Sequence, residues 1–281
     1  MRQLVQSSEI ESRRIKLKEL SFEEKKAKVE DLRVIDDVFF ECLAQDKDVD
    51  TEILRTILED PDLQVVDVVV QSDQRNLYGR SVRLDALCTL GNGTLCNIEV
   101  QRSNNDDHLK RARFNASSIT VRESKPGTSF KDIKEVYVVY ISEFDFLREN
   151  KVIYHIDKVI RGSGTKIDDG LHEIFVNTAV NDESDISDLM SCFTKKSVSD
   201  PKFPMLSKRV GELKNTEGGV TAMCDIMEKY INEGRREERL NVFFELVQKG
   251  DLSSNKAAER LNLSEEEFES EMSKAGYTLK K

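Results

Sequence analysis

Asp85, Glu99 and Gln101 stand in RLDALCTLGNGTLCNIEVQ, residues 83–101, where two apolar runs flank a Gly-Asn-Gly turn. Apolar strands seldom carry such groups, because a buried carboxylate without a partner is costly. Two carboxylates placed together also repel, which raises a pKa. A divalent cation reverses both effects. Mg²⁺ takes one or two carboxylates together with waters and phosphate oxygens. An ion held in this way activates water and neutralises charge developing on a phosphodiester. The pattern therefore suits a metal site for phosphodiester hydrolysis, with an amide beside it to orient water. Alternation alone also fits the solvent face of an edge hairpin.

Geometry separates the two readings. Glu99 and Gln101 are two apart, so they share one face of a strand. The position of Asp85 depends on the turn. A two-residue Asn-Gly loop pairs Gly91 with Thr94 and Asp85 with Val100, which puts Asp85 on the other face. A three-residue loop, Gly91 to Gly93, pairs Leu90 with Thr94 and Asp85 with Glu99, and the three polar groups converge. A bulge can also shift the register.

The elements that must hold these residues follow from periodicity. Residues 1–33 are charge-dense and read as an exposed helix or a loosely docked arm. Ile35, Val38, Phe39, Cys42 and Leu43 fall on one helical face. A second helix is expected at 50–59, with Asp50 or Thr51 as cap and Pro61 at its end. Strands are expected at 63–71, 82–90, 94–101 and 133–145, with a helix after Asn104. Residues 152–160 and 171–180 read as a hairpin around GSGTKIDDG. From about 205 onward the chain reads as charged helices interrupted by Gly218, Gly219 and Gly234. The expected organisation is an arm (1–33), a main domain with a hairpin extension (34–204) and a helical region (205–281).

Charged residues make up 34% of the chain and the formal net charge is -10, so a polyanion can be met only through a local basic patch. Cys88 and Cys96 flank the turn, where a disulfide or half a metal site is conceivable, but five cysteines without a CxxC pair favour small buried thiols in a reducing compartment. The first 20 residues lack an apolar signal core, and no run approaches a membrane span. A soluble, cytoplasmic protein is expected, with no membrane partner. The three histidines are scattered and predict packing or surface roles. No GxSxG and no phosphate-binding loop occurs.

The strand acid, the Gly turn, the ExQ strand and the basic helix that follows resemble the PD-(D/E)XK nuclease superfamily. The similarity is to its branch of PD-(D/E)XK nuclease family transposases, or recombination-promoting nucleases. IDDVFFECL, SVRLDAL, NIEVQ, LKRARFNASSI, KPGTSFKDIKEVYVVYISEFD, YHIDKVI, DGLHEIFVN and GGVTAMCDIMEKYINEG carry it over roughly residues 33–265. The resemblance implies an α/β fold, a restriction-endonuclease-like αβββαβ core with a mixed sheet, and metal-dependent hydrolysis of DNA. It implies Mg²⁺ or Mn²⁺ held by Asp85, Glu99 and the carbonyl of Val100. Asp37 is a further candidate ligand, ahead of Asp36 and Glu41. Gln101 stands where many superfamily members have a catalytic Lys, a departure that this branch shares. Gln positions water but supplies neither positive charge nor a titrating amine. Leu84 holds the place of the motif's Pro.

Between Arg102 and Lys131 the chain carries seven bases and three acids, a local net of +4. Lys110, Arg111 and Arg113 are the candidate DNA contacts, directed at phosphates and so of low sequence specificity. Arg111 and Arg113 are two apart on a helix and cannot share one face. DLSSNKAAERLNLSEEEFESEM resembles a helix-turn-helix, but its acidic second helix would be repelled by a phosphate backbone. Docking or homodimerisation is the expected role of these C-terminal helices. The leading expectation is a Mg²⁺-dependent deoxyribonuclease. The rivals are a nuclease scaffold retained as a binding or regulatory module, and an RNA nuclease.

Overall fold

The computed structural model describes residues 17, 20–74, 82–104 and 107–279, and only the backbone of residues 72–74 and 82. The described residues fall into two compact units, one up to Ile226 and one from Met227 onward.

The first unit opens with α1 (Phe22–Val29), started by a capping box between Ser21 and Glu24. α2 (Asp37–Leu43) and α3 (Lys47–Ile57) follow. α3 begins earlier than the sequence predicts. Asp46 is its cap and accepts from the Asp48 N–H, while Asp50 lies inside the helix and is wholly buried. Asp46, Asp48 and Asp50 are all cap-type residues, and packing chose the first.

β1 (Val65–Gln74), β2 (Val82–Leu90) and β3 (Leu95–Gln101) form an antiparallel meander. α4 (His108–Glu123) then returns the chain so that β4 (Val136–Ser142) lies parallel to β3. Parallel neighbours require such a crossover. The expected αβββαβ order is therefore present, with β4 shorter than the predicted 133–145.

β5 (Ile153–Ile156) pairs antiparallel with β8 (Leu171–Asn177). A small ribbon of β6 (Lys158–Val159) and β7 (Lys166–Ile167) lies between them in sequence. The predicted hairpin is thus real, but it does not stand apart. β8 also runs parallel to β4, giving one six-stranded mixed sheet in the order β1-β2-β3-β4-β8-β5.

One sheet face carries Leu87, Leu95, Val136, Val138, Tyr140 and Phe175, packed under Ala112, Ala116 and Ile119 of α4. Those three helix residues recur at i, i+4 and i+7, so α4 lays one stripe on the sheet. Phe39, Phe40, Ile53 and Leu54 are also buried, with the ring of Phe193 from α5 (Asp185–Thr194) tilted against Phe40 at 6.5 Å between centroids.

α6 (Pro204–Asn215) is followed by α7 (Glu217–Lys249), α8 (Ser254–Leu261) and α9 (Glu265–Lys274). The predicted breaks at Gly218, Gly219 and Gly234 do not occur, because α7 runs through all three. Gly219 has a packing reason: a Cβ there would lie 2.3 Å from the Glu212 carbonyl oxygen. In the second unit Leu240, Phe244, Val247, Ala257, Phe268 and Met272 form a core, and Ser264 and Glu267 make a capping box. All five cysteines are buried free thiols. Among the described residues no helix is long and apolar enough to cross a membrane.

Candidate active site

The β2–β3 turn decides the register. Leu90 donates its N–H to the Thr94 carbonyl at 2.8 Å, and Gly93 donates to the Leu90 carbonyl at 2.8 Å. Gly93 has φ +88°, a left-handed conformation that glycine adopts without strain. This is the three-residue loop. Below it Thr89 faces Leu95, Cys88 faces Cys96, Leu87 faces Asn97 and Ala86 faces Ile98. The paired ladder ends there, and its register continued one step puts Asp85 across from Glu99, where side-chain hydrogen bonds join the two strands.

The contacts at that rung are specific. Asp85 donates its N–H to Glu99 Oε1 at 3.4 Å, and Val100 donates its N–H to Asp85 Oδ2 at 3.0 Å. A strand residue presents N–H and C=O to the same edge, so the Val100 carbonyl also faces the Asp85 side. Asn97 Nδ2 donates to Glu99 Oε1 at 3.0 Å. Glu99 is 1% exposed, and its other oxygen, Oε2, is buried without a hydrogen bond. Arg111 Nη2 lies 3.6 Å from that oxygen, beyond hydrogen-bond reach.

Burial and the neighbouring Glu99 charge push the Asp85 carboxyl well above the usual carboxylate range, against the Val100 N–H bond that lowers it. Burial likewise raises Glu99, opposed by Asn97 and Arg111. Asp37, in the first turn of α2, adds to the rise at both acids. Its own carboxyl is pushed up chiefly by loss of surrounding water, against Arg111.

Asp36 is taken up differently. It accepts the Arg33 N–H at 2.7 Å and lies 2.7 Å from Arg102 Nη1. Glu143, just past β4, binds Arg33 at 2.6 Å and Arg102 at 3.2 Å. This ring of charges ties the start of α2 to the ends of β3 and β4.

Gln101 is held at both ends. Arg111 Nη1 donates to its Oε1 at 3.0 Å, and its Nε2 donates to the Ser103 carbonyl at 3.1 Å. Arg111 comes from the first turns of α4, which Asp107 caps by accepting the Lys110 N–H at 3.1 Å. Lys110 pairs with Asp107 at 2.7 Å on the outer surface, and Arg113 is exposed. The structure thus brings Asp85, Glu99, Gln101, Asp37 and Arg111 together, with Lys110 and Arg113 outside. His108 is a packing residue, 2.8 Å from the Tyr140 hydroxyl and against Phe144 and Phe146.

The sequence pattern of PD-(D/E)XK nuclease family transposases matches residues 34–188, more than half of the chain. The chain belongs to this family. The matched span runs from the residues before α2 into α5 and contains every residue of the cluster. No curated protein and no solved structure matches. As a member of a PD-(D/E)XK nuclease family the chain has a nuclease-like function, and such nucleases generally use divalent metals.

Among the described residues no three His, Cys, Asp or Glu side chains form a ready metal cage. A Mg²⁺-type ion needs fewer protein ligands than that. Two facing carboxylates and a buried carboxylate oxygen without a hydrogen bond fit an ion that keeps most of its waters. Asn97, Arg33 and Glu143 do not stand out in the sequence as site residues, and Asp36, weighed there as a lesser ligand candidate, is instead tied to Arg33 and Arg102. Asn97 carries a signal, as a polar residue two before Glu99 in the buried run LCNIEVQ. Glu143 carries none.

Proposed function

We propose that the protein is a metal-dependent DNA endonuclease whose ion, Mg²⁺ or Mn²⁺, is held by Asp85, Glu99 and the Val100 carbonyl. When bound, the ion supplies a polarised water and neutralises charge developing on the phosphodiester. Asp37 completes the anionic side of the site from α2. Gln101 orients the attacking water through the amide proton that Ser103 does not take. Lys110, Arg111 or Arg113 contacts the DNA backbone from α4, with low sequence specificity because phosphates carry no sequence information directly.

The observation that carries this reading is the rung that faces Asp85 with Glu99 and leaves Glu99 Oε2 buried without a hydrogen bond. Solvated charges on an edge hairpin do not meet in this way. The test is nicking of supercoiled plasmid with Mg²⁺ by the wild type and by Asp85→Ala. Cleavage is expected from the wild type alone, and equal cleavage by both refutes the assignment.

A second reading is a binding or regulatory scaffold with little turnover. The engagement of both ends of Gln101 favours it, since a fixed amide replaces a mobile cation at that position. Calorimetry separates the two, because a silent scaffold has no need to take Mg²⁺ or Mn²⁺ at the hairpin. Offering RNA beside DNA tests the choice of substrate.

A further inference from the structure

Arg111 occupies a particular place in the cluster. One guanidinium nitrogen donates to Gln101 Oε1 at 3.0 Å and the other stands 3.6 Å from Glu99 Oε2. A guanidinium has donors only, so the Gln101 amide must turn its oxygen toward Arg111 and its NH₂ toward Ser103. Arg111 therefore sets which end of the amide is left for water. It also supplies the cation beside a carboxylate that is otherwise nearly sealed from solvent.

That second role conflicts with a bound ion. A guanidinium and a divalent cation beside one carboxylate repel each other strongly in a poorly hydrated site. The side chain of Arg111 is 35% exposed, so it has an open side. Lys110, the neighbouring residue on α4, is exposed and marks the surface where a phosphate would be met.

We infer that Arg111 is a placeholder cation: it neutralises Glu99 and clamps Gln101 until a divalent ion arrives, then turns outward to a substrate phosphate. This rests on the metal site proposed above. The side chain makes metal loading and phosphate capture successive events, because one cation cannot serve both anions at once. By linkage, Arg111 and the ion are antagonists in the absence of nucleic acid.

The experiment is calorimetric titration of Mn²⁺ into the full chain without nucleic acid, at pH 8.5 so that protons compete least. Wild type, Arg111→Ala, Arg111→Gln, Arg111→Lys and Asp85→Asn are compared. Removing the charge in Arg111→Ala is expected to tighten Mn²⁺ binding about tenfold, since one nearby positive charge is lost. Arg111→Gln keeps an amide donor for Gln101 and is expected to do the same, which covers the case of a misfolded alanine variant. Arg111→Lys keeps the charge and is expected to stay near wild type. Unchanged or weaker Mn²⁺ binding in both Arg111→Ala and Arg111→Gln overturns the inference while the metal site stands. Absence of Mn²⁺ binding in the wild type, or equal binding in Asp85→Asn, overturns the metal site itself, and the inference with it.

Discussion

Replacing Asp85 with Asn should make the metal-free protein more stable, and the magnitude can be worked from the rung. Carboxylates facing across an antiparallel rung stand about 5 Å apart, where two unit charges repel by about 3 kcal/mol at an effective dielectric near 20. The introduced amide would still accept the Val100 N–H, now in a neutral bond weaker by about 1 kcal/mol. The net gain is about 2 kcal/mol at pH 8 without divalent ions. Its pH dependence has a fixed sign. Asp85 and Glu99 both have folded-state pKa values raised above their unfolded ones, so the folded chain binds more protons. Their stabilising contribution is whole below about pH 4 and is lost as pH rises through the folded values. Asp85→Asn removes much of that slope, so the two proteins converge in acid and separate above it. Divalent metal reverses the order: an ion at one hundred times its Kd adds about 2.7 kcal/mol to the wild type alone. The assay is urea unfolding at pH 4, 6 and 8, in EDTA and in Mg²⁺. A variant less stable than wild type at pH 8 in EDTA, or parallel pH profiles, would refute the reasoning.

Other substitutions test the supports of the site. Gly219→Ala would force a Cβ to within 2.3 Å of the Glu212 carbonyl oxygen and 2.6 Å of Leu213 Cα, so thermal unfolding should report a loss of about 3 kcal/mol. Gly211→Ala, in α6 with nothing within 4 Å of the added methyl, should instead gain about 0.5–1 kcal/mol. Asp36→Ala removes the acceptor of the Arg33 N–H and one partner of Arg102, and should cost about 2 kcal/mol in urea unfolding. Gly93→Ala places a Cβ at φ +88° and should cost about 1 kcal/mol, with plasmid nicking falling as the hairpin register loosens.

How much of the fold and the cluster is legible in the sequence depends on the distance over which each decision is made. The alternation of Asp85, Glu99 and Gln101 and the Gly-rich turn are local, and both are seen in the structure. Gly-Asn-Gly suits a two- or a three-residue loop, so the sequence leaves the register open. It is closed by the Leu90–Thr94 rung and the left-handed Gly93. The start of α3 differs from its predicted place because three aspartates two apart compete for one cap, and tertiary burial of Asp50 decides among them. The glycines of α7 read as breaks because local propensity penalises them by about 1 kcal/mol each. Packing outweighs that at Gly219, where a larger residue does not fit. The pairing of β8 with β4 joins strands more than thirty positions apart and leaves no local mark. Arg111 is visible as a base on a helix, but its reach back to Gln101 follows from how α4 lies on the sheet.

Gln101 and Arg111 explain one another better than either is explained alone. A Lys at position 101 would place an ammonium where Gln101 Oε1 now accepts from the guanidinium at 3.0 Å, and two cations at that distance repel. An amide removes the repulsion and supplies an acceptor that a guanidinium can use. Positive charge is therefore not missing from the cluster but has moved from the strand to the helix. The exchange alters the chemistry open to the site. An ammonium can titrate and release a proton, whereas a guanidinium stays charged across the accessible pH range. A site built on Arg111 has a fixed cation that can only be repositioned, so control of its electrostatics passes from proton transfer to side-chain movement.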